Sequence, residues 1–125
     1  MIAAIEWQSQ EFEKRSGIIT RFESEIDNFS FSPSVAIGLF RICQESLTNV
    51  ARYAEAKNVF MKLQQTDKQI LLTIIDNGKG FDINKIRKKT LGLLGMKERS
   101  LMMGGKFEIL SEEGKGTSLN VRISY

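Results

Sequence analysis

Gln69-Ile-Leu-Leu-Thr-Ile-Ile75-Asp76-Asn-Gly-Lys-Gly80 joins the most apolar run of the chain to a polar, glycine-containing loop. Val59, Met61 and Leu63 alternate with polar residues and predict a strand with one exposed face, while Ile70 to Ile75 just after it is nearly all apolar and predicts a more buried strand. A polar turn near Asp67 joins the two. Asp-Asn-Gly is by itself a hairpin turn, but a hairpin needs a returning strand, and Phe81 to Lys89 does not alternate. A carboxylate at a strand end, followed by two glycines that let backbone approach a flat ligand, fits recognition of an exocyclic amino group instead.

Upstream, Ala3 to Arg15 predicts a helix with Ile5 and Phe12 on one face and Gly17 as its stop, and Ile18 to Glu23 predicts a short strand. Trp7 is read as packing beside Phe12. Ser32-Pro33 starts a long helix, because serine caps free amides and proline has none to leave unpaired, and the apolar pattern runs to Ala54 or Ala56. Downstream, Asp76 to Thr90 has no period and reads as a long loop with an irregular turn around Ile83 to Ile86, a length that usually carries function or is disordered. Leu93 to Met103 predicts a helix ended by Gly104-Gly105, with Met96, Met102 and Met103 filling core or facing another domain. Strands through Phe107 and Ile109 and through Leu119, Val121 and Ile123 follow, joined by Glu113-Gly-Lys-Gly116. The order implies a two-layer α/β (α+β) sandwich: a mixed, mostly antiparallel sheet covered on one face by about three helices.

The 125 residues, 42% hydrophobic and 26% charged, suit one domain spanning 1–125. Cys43, the one cysteine, lies inside the long helix pattern and can form neither an internal disulfide nor a metal cluster, so it reads as packing in a reducing compartment. The chain has no histidine, which excludes imidazole acid–base chemistry, histidine metal sites and any phosphohistidine within it. No apolar stretch is long enough for a membrane span and the start lacks the order of a signal peptide, so a soluble, cytoplasmic chain without membrane contact is expected. The first helix starts almost at residue 1, which predicts a fragment of a longer protein. A net charge of +3 is too small to argue for nucleic acid. The crowding of Lys79, Lys85, Arg87, Lys88 and Lys89 suits either a polyphosphate or a plain solvated loop.

Three further segments carry chemistry. Arg41, Glu45, Asn49 and Arg52 recur at helical spacing beside apolar neighbours, a face suited to a charged ligand or a metal. Arg41 is read as a surface charge. Gly92-Leu-Leu-Gly95 opens the second long helix, where exposed amides and the positive end of the dipole suit an anion such as phosphate, though helix packing alone could explain it. Gly114-Lys-Gly116-Thr117 is an ordinary strand turn apart from the hydroxyl of Thr117.

Taken in order, these segments and Asp76-Asn-Gly-Lys-Gly80 resemble the N, G1 and G2 boxes and terminal Gly-x-Gly-Thr of the histidine-kinase, gyrase and Hsp90 (GHKL) superfamily, with its Bergerat-type ATP-binding fold. The wording Phe40-Arg-Ile-Cys-Gln-Glu-Ser-Leu-Thr-Asn-Val-Ala-Arg52, with Gly92-Leu-Leu-Gly-Met-Lys-Glu-Arg99, is similar to the catalytic domain of bacterial sensor histidine kinases of the nitrate-sensor type. Ala4-Ile-Glu-Trp-Gln and Ser16-Gly-Ile extend the likeness over nearly the whole chain.

The resemblance implies ATP and Mg²⁺ as cofactors and roles for single residues. Asn49 would coordinate Mg²⁺ through its amide oxygen, and Glu45 would hold a metal-bound water or act as a base. Arg52 would meet phosphate, and Asp76 would accept from the adenine amino group, which excludes guanine. Gly78 and Gly80 would let backbone pass the base, and Thr117 would support it through water. Gly92 and Gly95, with Leu93 in the same nucleotide-binding set, would cradle the phosphates under a lid from Phe81 to Leu91. Tyr53 departs from the pattern, standing where the family commonly has histidine.

The phosphoacceptor in such proteins is a histidine on a separate dimerising helical domain. The implied function is therefore donation of the γ-phosphoryl group of ATP to that domain of a two-component kinase, with a response regulator downstream. A monomeric fragment of a homodimeric parent is implied. Rival readings are an ATPase in which Glu45 activates water, a serine kinase regulating a sigma factor, and a nucleotide-binding module without catalysis.

Overall fold

The computed structural model describes residues 1–26, 31–66, 68–82 and 92–124. In chain order the elements are α1 (Ile2–Ser16), β1 (Ile19–Ser24), α2 (Pro33–Asn49), a π-helical turn (Val50–Ala54), β2 (Asn58–Gln65), β3 (Gln69–Asp76), α3 (Leu93–Met102), β4 (Gly105–Ser111) and β5 (Thr117–Ser124). The turn at Asp67, the irregular turn at Ile83 to Ile86, the four basic residues from Lys85 to Lys89 and all of the lid from Phe81 to Leu91 beyond Asp82 lie outside the described residues.

The five strands form one sheet in the order β1-β2-β3-β5-β4. The β1–β2 pair is parallel and the other three pairs are antiparallel, so the sheet is mixed and mostly antiparallel as the sequence predicts. Register lays the inward side chains in rows under the helices. Phe22, Met61, Ile74, Leu119 and Ile109 form one row, and Leu63, Leu72, Val121 and Phe107 the next. Ile5 and Phe12 of α1, Leu39, Ile42, Cys43 and Leu47 of α2, and Leu93 and Met96 of α3 close the core from the helix side. Burial pushes the Cys43 thiol up to about 12, which leaves it an inert packing group.

The start of α2 forms as its sequence dictates: Ser32 accepts the Val35 amide at 3.3 Å and Pro33 takes the first turn. Two packing expectations need correction. Trp7 is 62% exposed, because it lies two residues beyond Ile5, about 200° round the helix and away from the core. The apolar run of β3 is buried on one face only: Ile70, Leu72 and Ile74 point inward, while Ile75 is 44% exposed on the uncovered face. Met96 is core and Met103 packs against Gly38, whereas Met102 is 85% exposed.

Candidate nucleotide-binding site

At one end of the sheet, on its covered face, a cleft of about 540 Å³ counted out to its open mouth lies between the last turns of α2, the end of β3, the start of β5 and the start of α3. Its floor is apolar, from Ile74, Leu119, Ile109, Leu93 and Met96, and its polar groups come from Asn49 and Ser46 on one side and Asp76 and Thr117 on the other.

Asp76 ends β3 and is 8% exposed. Its Oδ1 accepts the Gly78 amide at 2.8 Å. Burial raises its pKa above the ordinary carboxylate value, against the opposing pull of the Gly78 and Thr117 amides. The loop after it is not a hairpin but is laced to its surroundings. Asn77 Oδ1 accepts the amides of Lys57 at 2.9 Å and Asn58 at 2.8 Å, and the Lys79 amide donates to Ala54 O at 2.7 Å. Gly80 has φ +63°, and a Cβ there would run into the Glu112 carbonyl and lie 2.8 Å from that of Gly116. Gly78 packs as tightly on the Ala54 backbone, so a wall of bare main chain flanks the acid.

The far wall is α2 and the turn that continues it. Asn49 ends the regular helix and faces the cleft, with Glu45 one turn earlier. The next five residues adopt i→i+5 geometry, a device that is frequent at functional sites. This wider turn lags behind α-helical spacing and carries Arg52 round and away, while Tyr53, four residues after Asn49, keeps to its side as it would in an α-helix and lines the cleft. Arg52 does not join them: it is exposed on the wall of a separate hollow facing α1, beside Gln8 and Arg15. The even polar stripe of the sequence therefore breaks after Asn49.

Gly92 caps α3 in the left-handed conformation at φ +65°, and a Cβ there would come within 2.9 Å of Glu45 Cδ, so the acid lies directly against the helix start. Leu93 is buried in the cleft wall, and Gly95 faces open space with nothing within 4 Å of a Cβ position. Of the site residues named from sequence, Asn49, Asp76, Gly80, Leu93 and Thr117 line one cleft. Glu45 and Gly92 stand together beside it, Gly78 backs it, Gly95 faces outward and Arg52 lies apart.

Two residues escaped sequence reasoning. Asn77 is the clamp just described, and its signal, an asparagine inside a turn, is too common to stand out. Ser111 accepts the Phe81 amide at 2.9 Å and lies 2.8 Å from Thr117 Oγ1. It could have been found as the residue opposite Thr117 in the β4–β5 hairpin.

The donor set fits Mg²⁺ in kind: a carboxamide oxygen and a carboxylate one helical turn apart. Among the described residues no group of three histidine, cysteine, aspartate or glutamate side chains could hold a metal.

Residues 34–125 match the family model described as histidine kinase-, DNA gyrase B-, and HSP90-like ATPase. The chain is 41% identical over 113 residues to the sensor histidine kinase LiaS of Bacillus subtilis (strain 168), covering 90% of this chain and 31% of that protein. It is 36% identical over 112 residues to the signal transduction histidine-protein kinase/phosphatase DegS of Brevibacillus brevis, covering 90% and 29%. It thus spans about a third of the length of these relatives. The histidine kinase domain of the blue-light activated histidine kinase from Erythrobacter litoralis EL346 has the same fold, with a TM-score of 0.77 at 18% identity over 98% of this chain and 59% of that one. With that family model matched from Ser34 to the chain's end over a sheet, helices and cleft of this form, the chain belongs to the histidine kinase-, DNA gyrase B- and HSP90-like ATPases.

Proposed function

We propose that this chain is the ATP-binding catalytic domain of a two-component sensor histidine kinase, that it binds ATP with Mg²⁺, and that it donates the γ-phosphoryl group to a histidine on another domain. One observation carries the nucleotide part: a buried acid flanked by bare main chain faces a carboxamide-bearing helix across a single cleft. Asp76 accepts from the adenine amino group, the apolar floor takes the ring, and Thr117 supports the base edge. Asn49, with Glu45 behind it, holds Mg²⁺, which supplies neutralisation of phosphate charge. Gly92 and Gly95 cradle the phosphates at the start of α3, with open space at Gly95 and the Glu45 carboxylate against Gly92. Phosphoryl transfer is mostly positioning and charge neutralisation, so a domain with no histidine of its own completes the donor half.

We read residues 1–125 as one such domain, and the nitrate-sensor type as its subfamily on the wording of Phe40 to Arg52 and Gly92 to Arg99. The acceptor is a helical dimerisation domain of the parent and the downstream partner a response regulator. The similarity to full-length sensor kinases named above supports this. Among the described residues no helix is long and apolar enough to cross a membrane.

Thermal melting with a non-hydrolysable ATP analogue tests the proposal. Ligand at about a hundred times its Kd stabilises by about 2.7 kcal/mol, which raises Tm by several degrees, and no shift at saturating analogue and Mg²⁺ would contradict it. Asn49→Ala should abolish the Mg²⁺-dependent part of the shift and keep the part seen in EDTA. An unchanged Mg²⁺ dependence would move the metal away from Asn49. Gly95→Ala, in a helix with open space around it, should stabilise the ligand-free domain by about 0.5–1 kcal/mol, yet weaken ATP more than adenosine. Equal weakening of both would remove Gly95 from the phosphate end.

A further inference from the structure

Three polar side chains end the sheet in one cross-strand row on the covered face: Asp76 pairs with Thr117, and Thr117 with Ser111. Asp76 and Thr117 line the cleft, and Ser111 stands one strand further out. The Ser111 hydroxyl accepts the Phe81 amide at 2.9 Å, donates to Gly116 O at 3.2 Å, and lies 2.8 Å from Thr117 Oγ1.

The positions of the two oxygens allow either direction for the last contact, and proton counting favours one. A serine hydroxyl has one proton, and a carbonyl can only accept. With the Ser111 proton on Gly116 O, the hydrogen between the two hydroxyls comes from Thr117, and all three contacts are bonds. With the Ser111 proton on Thr117, two acceptors would face each other at Gly116, which in a partly buried spot is the poorer arrangement. In the favoured arrangement Thr117 turns its proton outward to Ser111 and shows the cleft only lone pairs. An ionised Asp76 is acceptor-only as well.

We propose that Ser111 is a positioning residue for base selection: by holding the Thr117 proton it keeps Thr117 an acceptor, so the wall beside Asp76 favours a purine bearing an amino group over one bearing a carbonyl there. This rests on the adenine-nucleotide reading above. Without the Ser111 hydroxyl, Thr117 is free to rotate and donate to a carbonyl, and the preference relaxes. A serine that merely braced Phe81 against the β4–β5 turn would affect both kinds of purine alike.

Titration calorimetry of the 125-residue chain with ATP and with inosine triphosphate, which carries a carbonyl in place of the amino group, separates the two. Ser111→Ala should lower the ATP-over-inosine preference about 3- to 10-fold, the scale of one hydrogen bond, and Ser111→Thr should restore it. Should Ser111→Ala fail to fold, Ser111→Cys, whose thiol is a weak donor and acceptor, should show the same drop. In a Thr117→Val background, Ser111→Ala should leave the ratio unchanged. Equal loss for both nucleotides, or an unchanged ratio in Ser111→Ala or Ser111→Cys with wild type still preferring ATP, would overturn this inference alone. A wild type that binds neither nucleotide would overturn the adenine-nucleotide reading first.

Discussion

Asp76→Asn is expected to make the nucleotide-free domain more stable and to remove most of its affinity for ATP. Burial raises the Asp76 pKa in the folded state, so the folded protein holds its proton at pH values where the unfolded chain has lost it. Stability rises with pH only where the unfolded state binds more protons, and here it binds fewer. The penalty of carrying the charge thus sets in as pH climbs above the ordinary value of 3.8, is complete above the raised folded pKa, and lifts as pH falls back through it. Asparagine keeps an oxygen for the Gly78 amide and avoids that penalty. Toward ATP the same change replaces a charged acceptor by a weaker one and can set amide hydrogens against the adenine amino group. About 3 kcal/mol, or about 100-fold in Kd, is the expected loss. Urea melts and calorimetry at neutral pH check both halves. A variant less stable than wild type would mean that the carboxylate is a structural tie, and one that binds ATP normally would remove Asp76 from base recognition.

Gly80→Ala has the largest expected effect on the fold around the site. The position needs a left-handed φ, and the new methyl would meet the Glu112 and Gly116 carbonyls, which are backbone and cannot swing aside. A loss of about 2–4 kcal/mol in urea-melt stability is expected, together with weakened ATP binding, because the displaced loop carries one wall of the cleft. Gly95→Ala, predicted above to stabilise, is the contrasting case: that glycine is helical with open space around it, so neither a left-handed φ nor a backbone clash opposes the methyl. Equal stabilities for the two variants would show that the Asp76–Gly80 loop does not hold the tight geometry described.

The sequence made the helices and antiparallel pairs legible because each was specified locally. Ser32-Pro33 starts α2, alternation marks β2 and β5, and Gly104-Gly105 stops α3. The parallel β1–β2 pairing was not legible, since it depends on how α2 crosses between two strands rather than on any residue in them. Trp7 shows the limit of reading an aromatic as core: Ile5 and Phe12 set the buried face, and Trp7 lies off it. At the site, Asp76 and the glycines stood out because a strand-end acid beside bare main chain is unusual. Arg52 left the stripe because the spacing argument assumed 3.6 residues per turn and the π turn after Asn49 departs from it, whereas Tyr53, four residues beyond Asn49, shares its side in either geometry. Asn77 acts by accepting two backbone amides and Ser111 by bonds to backbone and to the Thr117 hydroxyl, contacts across the fold for which a lone sequence carries no pattern.

Amide chemical-shift mapping of the ¹⁵N-labelled chain during titration with ATP and Mg²⁺, repeated with GTP, tests the central claim most directly. The account predicts that ATP shifts the amides of Gly78, Gly80, Phe81 and Thr117 on one wall and Asn49 on the other, with GTP leaving the first group in place. Shifts confined to the hollow between α1 and α2, or the same Gly78–Thr117 shifts with GTP as with ATP, would contradict it.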